Sequence, residues 1–383
     1  MNVSWIPLSD PDISQEELDD VSAALKSPRV SSGPIASAFE NEFAAYLGRK
    51  HAVAVSSGTL GLLLSLRTYG IGAGDEVICS PYSWHQIAHA ITLVGAVPVF
   101  ADIDYWSGTL AVEKAKAKIS ARTKAILAGN TNGHPAAWNP LRELARAQGL
   151  CLIEDSTEAI GSRYEGKLVG SFGDCAVFDF SQPGALVCGE GGMVVTDDAD
   201  VARSLRYQRA RRMEDRFSVS ITAHLPYQAT MSELSAALGR AQLKRVDEIL
   251  LRRKRIEFYY YEHVKSFEGI KDPYIAPEVS EIHWFLYLVH LGTRFTKSSR
   301  DAIIEDMRTE SVEAAAYCQP LHAQRWYLDH GHRKGECLVA EKVADRILAL
   351  PFHGHLNDEQ IGFIVQTAKD ASINVGAGSA IYL

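Results

Sequence analysis

The chain has 383 residues, 46% of them hydrophobic and 22% charged, which suits a soluble globular protein with ample material for a core. A formal net charge of -8 argues against nucleic acid as a partner, because phosphate-binding surfaces are usually basic. Six scattered cysteines without a CxxC pair point to no zinc site and no disulfide framework, and no apolar run reaches the ~20 residues that span a bilayer.

The N-terminal MNVSWIPLSDPDIS lacks the basic and apolar regions of a signal peptide, so a reduced, cytoplasmic setting is expected. SQEELDDVSAALKS then predicts a helix with Ser14 as N-cap and Glu17 completing a capping box. HAVAVSSGTLGLLLSLRTYG reads as strand, turn and helix. GDEVICSP and VPVFADID read as strands flanking the helix SWHQIAHAITLVG. TKAILAGN predicts a strand, and NPLRELARAQG a helix ending at Gly149. LCLIEDS, CAVFDFS and GMVVTDD are three more strands, and MSELSAALGRAQLKRVDEILLRRKRIEFYYYEHVKS is a long, heavily charged helical region. Short apolar strands alternating with helices predict an α/β fold with a mostly parallel sheet covered on both faces. The pattern changes near residue 256: HWFLYLVHLG reads as a strand and three helical segments follow. A large domain over 1–255 and a smaller α+β domain over 256–383 are expected, packed together because no Pro/Gly-rich linker separates them.

Several motifs bear on chemistry. Ser56-Ser57-Gly58-Thr59 lies between a strand and a helix, where free N–H groups can cradle a phosphate; the plainer reading is an N-cap and a tight turn. Trp84, beside His85, could stack on a flat ring or serve as a core aromatic. Asp155 ends a strand, where ligands of open α/β sheets bind, and an acid there can hold a pyridine nitrogen protonated; alternatively it caps the next segment.

These motifs occur in one order, and with IPLSDPDIS, SSGPIASAFENEFAAYLG, GAVPVFADID, LIEDSTEAIGSRYEGKLVGSFGD, CGEGGMVVTDD and ALPFHGHL the chain resembles the DegT-type sugar aminotransferases nearly end to end. The resemblance implies a fold-type-I pyridoxal phosphate architecture and a homodimer with sites at the interface. It places Gly58 and Thr59 at the phosphate cradle and Trp84 at the ring-stacking position. Asp155 matches the acid facing the pyridine nitrogen, and Glu158 a position near the ring hydroxyl.

The segment FDFSQPGALVCGEGG departs from that pattern. Gly184 stands where the family carries its Schiff-base lysine, and glycine can neither form an aldimine nor move a proton. Asp179 stands where a serine donates to phosphate. Two like charges ~4 Å apart repel by roughly 4 kcal/mol at an effective dielectric near 20. Gln228 replaces an asparagine that reaches the neighbouring subunit's phosphate, and Thr230 replaces an arginine. Lys167 sits in a hairpin-like, exposed segment and is a poor substitute anchor.

The reading is an enzyme of this fold acting on a sugar, cyclitol or related small molecule without an internal aldimine. His85, Asp179, Glu158 and His134 are its acid–base candidates, although each histidine could equally be a hydrogen-bonded loop residue. The cofactor expectation is none, the alternative being noncovalent pyridoxal or pyridoxamine phosphate. A second reading is a non-catalytic subunit pairing with a lysine-bearing paralogue. No metal, membrane or nucleic acid is expected.

Overall fold

The computed structural model describes residues 5–210, 225–265, 270–271 and 273–376. Helices α1 (Gln15–Leu25) and α2 (Pro34–Leu47) open the chain. The capping box at α1 forms: Ser14 Oγ accepts from Glu16 N, and the Glu17 carboxylate accepts from Ser14 N at 2.7 Å. The alternating pattern then gives β1 (His51–Val55), α3 (Gly58–Thr68), β2 (Glu76–Cys79), α4 (Gln86–Leu93), β3 (Val97–Phe100), α5 (Val112–Lys116), β4 (Thr123–Gly129), α6 (Trp138–Gln148) and β5 (Cys151–Asp155). A hairpin of β6 (Arg163–Tyr164) and β7 (Lys167–Leu168) precedes β8 (Cys175–Asp179), β9 (Gly192–Thr196) and α7 (Ala199–Arg209).

Seven of these strands form one sheet in the order β1-β9-β8-β5-β4-β2-β3. The pairings from β3 to β8 are parallel, and β9 runs antiparallel to both β1 and β8. Strands such as β2 and β9 are buried along their whole length, as expected of a sheet with helices on both faces. The carboxyl ends of β2, β4, β5 and β8 therefore open on one edge. There the chain leaves the sheet at Ser80, Asn130, Ser156 and Phe180.

The predicted charged helical region is two helices, α8 (Glu233–Lys244) and α9 (Val246–Val264), separated at Arg245. The remaining elements are β10 (Ile270–Lys271), β11 (Val279–Glu281), β12 (Tyr287–Leu291), α10 (Lys297–Thr309), α11 (Arg325–Asp329), α12 (Leu338–Ala344), β13 (Ile347–Leu350) and α13 (Asp358–Gly376). The strand read over HWFLYLVHLG is shorter than expected. Trp284 and Phe285 leave the ladder because their carbonyls accept from the Arg253 guanidinium at 2.9 and 2.7 Å. Helix α9 crosses residue 255 unbroken. Its Val246 and Leu250 pack under the large sheet, and its Ile256, Tyr260 and Val264 pack among C-terminal residues. Among the described residues no helix is long and apolar enough to cross a membrane.

Candidate active site

Alternation along β5 separates its two terminal acids. Glu154 is fully buried and accepts from the backbone N–H groups of Gly170, Phe172 and Gly173, so its work is to hold a loop. Asp155 faces the other way, towards the open edge. Its Oδ2 accepts from Gln86 Nε2 at 2.8 Å and its Oδ1 from Thr157 N at 3.1 Å. No helix follows it, so the capping alternative reduces to this one turn. Burial raises the Asp155 pKa; the donations from Thr157 and Gln86 pull it down, and Asp179 pushes it up.

Asp179, at the end of β8, reaches the start of α3. Its Oδ2 accepts from Gly58 N at 2.6 Å, and its Oδ1 accepts from Ser181 N at 2.8 Å and from the Ser181 hydroxyl. The side chain thus lies in the anion position that a helix N-terminus creates. The approach is close: a Cβ on Gly58 would lie 2.7 Å from Asp179 Cβ and 2.9 Å from Gln86 Oε1, so the first residue of α3 must be glycine. Ser57 takes the N-cap, accepting from Leu60 N at 3.2 Å, and Thr59 follows half-buried in the first turn. Thr157 Oγ1 accepts from Asp179 N and from Gln86 Nε2, which ties Asp179 to Asp155 through one network. Gln86, Thr157 and Ser181 were not singled out in the sequence. Only Ser181 carried a signal, a hydroxyl two residues beyond a strand-end aspartate.

Trp84 is half-buried and His85 exposed at the N-terminus of α4, their rings 5.0 Å apart. His89, one turn on, lies 4.8 Å from His85. Desolvation lowers the His85 pKa, and the Asp179 charge pulls it back up. Glu158 is buried behind Asp155. Its Oε2 accepts from Asn132 N at 2.6 Å and from the Tyr317 hydroxyl, and its Oε1 has no hydrogen-bond partner among the described residues. Burial pushes the Glu158 carboxyl up to about 7 despite those two donations. A proton can therefore be gained or lost there near neutrality.

Other expected residues lie elsewhere. His134 is engaged at both ring nitrogens. Its Nε2 accepts from Ala276 N at 3.1 Å, which leaves Nδ1 to donate to Pro135 O at 2.8 Å, and burial lowers its pKa. Asp179 accepts from backbone or hydroxyl donors on both oxygens. Gln228 is exposed, on a segment pinned beside the α3 turn by Ser56 N donating to Ala229 O at 2.9 Å. Gly184 has ordinary backbone geometry, and a Cβ there would meet Ser181 O at 3.3 Å and Leu186 O at 3.4 Å. The lysines that flank it in sequence are Lys167, exposed on the β6–β7 hairpin, and Lys244, paired with Asp20 at 3.1 Å. Among the described residues no group of three or more His, Cys, Asp or Glu side chains could hold a metal.

The profile of the DegT/DnrJ/EryC1/StrS aminotransferase family matches residues 11–369. The chain belongs to that family. It is 34% identical over 365 residues to a GDP-perosamine synthase of Caulobacter vibrioides, covering 94% of this chain and 96% of the relative. It is 32% identical over 377 residues to the spore coat polysaccharide biosynthesis protein SpsC of Bacillus subtilis, covering 96% and 97%. The crystal structure of S. venezuelae DesV in complex with a ketimine intermediate superposes with a TM-score of 0.88 at 30% identity, covering 97% and 99%. The fold-type-I architecture expected from the sequence is thereby established. Family membership makes pyridoxal phosphate the implied cofactor, and the residues around Asp155 are the place to test that implication.

Proposed function

We propose that the chain is an enzyme of the sugar aminotransferase fold that acts on a sugar, cyclitol or related intermediate and binds no phosphate at the Gly58 cradle. The observation that carries this reading is the 2.6 Å hydrogen bond from Gly58 N to Asp179 Oδ2. A carboxylate is already seated where a phosphate would sit, and an incoming dianion would meet both the occupied N–H and the charge. Gly184 supplies no amine for a Schiff base, and neither flanking lysine sits beside it. The residues present therefore do not fit pyridoxal phosphate, although Trp84 and Asp155 suit a flat ring. In this reading Glu158 and His85 are the groups that hold or move a proton, and the active assembly is a homodimer.

The test compares the wild type with a double substitution, Asp179→Ser with Gly184→Lys. Calorimetry of the wild type with pyridoxal phosphate and with pyridoxamine phosphate is expected to show no saturable binding. The double variant frees the cradle and restores an amine, and it is expected to bind pyridoxal phosphate with the absorbance of an internal aldimine. Micromolar binding of either cofactor by the wild type would overturn the reading. Co-purification of an inactive wild type with a lysine-bearing relative would replace it with the partner-subunit alternative.

A further inference from the structure

A cavity of about 340 Å³ lies where the loops after β2, β3 and β4 meet the C-terminal part of the chain. Tyr82 and Asn132 line it, whereas Trp84, His85, Asp155 and Asp179 do not. It meets the candidate site through Asn132, whose N–H donates to Glu158, and through Tyr82, whose ring lies 5.3 Å from that of Tyr317, the hydroxyl donor to Glu158.

Its walls are aromatic. Tyr105 and Trp106 stand edge to face at 5.0 Å, Tyr274 lies 6.2 Å from Trp106, and Trp284 closes another side. No Asp, Glu, Lys or Arg is among the described residues lining it. His134, behind Tyr274, is fixed as a neutral ring by its two backbone hydrogen bonds. The two histidines of the lining are engaged, His134 with Pro135 and Ala276 and His290 with the Tyr105 hydroxyl at 3.3 Å, so the described lining offers a phosphate or carboxylate no lysine or arginine partner, and a buried charge needs one.

The lining is not inert either. Asn132 is 4% exposed and adopts a left-handed backbone at φ 50, uncommon outside glycine. That conformation is held from three sides. Its N–H donates to Glu158, its carbonyl accepts from Phe285 N, and its Oδ1 accepts from Leu286 N at 2.9 Å. With Oδ1 engaged, the side-chain amide has one orientation, and its Nδ2 donates to no described protein group. Two hydroxyls of the same wall, Tyr82 Oη and Thr131 Oγ1, are buried without hydrogen-bond partners among the described residues. Buried polar groups are seldom left so, and several in one wall mark a place where a hydrogen-bonding molecule completes the set.

We infer that this cavity binds an uncharged, polyhydroxylated ring, a monosaccharide or cyclitol. Aromatic walls take the C–H faces of such a ring, and Asn132 Nδ2 and the hydroxyls of Tyr82 and Thr131 take its oxygens. The volume lies at the lower end of the roughly 300–1,000 Å³ of small-molecule sites, so one ring fits and a nucleotide-linked sugar does not. The inference does not depend on the state of the phosphate cradle.

The experiment uses the full chain and four probes: D-glucose, myo-inositol, glucose 6-phosphate and uridine, followed by calorimetry and ligand-observed NMR. At least one of the two neutral polyols is expected to bind saturably, and glucose 6-phosphate at least tenfold more weakly than D-glucose. Trp106→Ala and Asn132→Gly are each expected to weaken polyol binding at least tenfold. Trp106 is 56% exposed, so its loss spares the core, and glycine suits the backbone at 132 while keeping the N–H to Glu158. Failure of both polyols to bind, equal binding of the phosphate ester, or unaltered binding in both variants would overturn the inference. Uridine binding without polyol binding would also overturn it and make the site one for flat aromatic rings. None of the probes carries an amine or a pyridine ring, so the result is separable from the test of the Asp179 reading.

Discussion

Two carboxyl groups of the site show how position decides behaviour. Among the described residues Asp179 has donors on both oxygens, whereas Glu158 has two donors on one oxygen and none on the other. Burial dominates at Glu158 and takes its pKa from 4.5 to about 7. Because the folded value lies above the unfolded one, the native state keeps a proton that the unfolded chain has lost. Stability from this group is therefore fully present below about pH 4.5 and declines as pH rises to about 7. Glu158→Gln removes the titration. Urea denaturation is expected to find the variant more stable than wild type at pH 8, by up to about 3 kcal/mol, and equal to it near pH 4. An equal difference at both pH values would show that Glu158 does not titrate in this range. The sequence placed Asp155 at a strand end and Gly58 in a strand-to-helix turn, and Asp179 within a strand. It did not show that Asp179 turns onto the amide of a residue 121 positions away, because that depends on how closely β8 approaches α3. The same limit applies to His134, whose backbone partners come partly from Ala276 across the fold.

Local signals were legible where the physics is local. The Ser14 box, the Gly149 C-cap and the short, mostly apolar strands follow from neighbouring residues, and each appears in the structure. Charge was harder to read at the element scale. The charged stretch that forms α8 and α9 looks like a solvated surface, yet Glu233 and Arg253 are buried in it. Arg245, at the break between the helices, pairs with Asp12 at 2.8 Å and Glu17 at 2.7 Å. Periodicity cannot say which charges find partners in a distant segment. Glu17 thus serves twice, closing the capping box of α1 and tying α1 to α8 through Gln242 and Arg245. Burial would raise its pKa, but the donations from Ser14, Arg245 and Gln242 prevail and bring it to about 2. Here the folded value is depressed, so the contribution is present above about pH 4.5 and is lost as pH falls towards 2. Glu17→Gln is expected to destabilise the protein by about 3 kcal/mol at pH 7, since Arg245 loses a buried partner. The gap should narrow on acidification, as it does for Glu158→Gln, but from the opposite sign, the variant being the less stable protein at pH 7. A pH-independent loss would assign the effect to packing alone.

At the scale of the molecule, α9 joins the part built on the large sheet to the C-terminal part, and one side chain on it makes the connection polar as well as apolar. Arg253 is 5% exposed, lies 4.5 Å over the Phe352 ring and donates to the carbonyls of Phe352, Trp284 and Phe285. Burial lowers its pKa to about 10, so the guanidinium stays charged at neutral pH. All three carbonyls belong to the segments that enter β12 or leave β13, so the sheet of the C-terminal part is positioned from outside itself. Arg253→Met keeps the stem and removes every donor. Three buried carbonyls are then left short of a partner, and a loss of about 3 kcal/mol or more is expected. The loss should be uneven. Hydrogen exchange in β12 and β13 is expected to accelerate at denaturant concentrations where β4 and β5 remain protected, because the cluster around Val53, Val77, Leu127 and Ile153 draws only Leu288, Ile347 and Ala349 from β12 and β13. If all four strands lose protection together, the two parts unfold as a single cooperative body, and Arg253 stabilises the whole rather than coupling its halves.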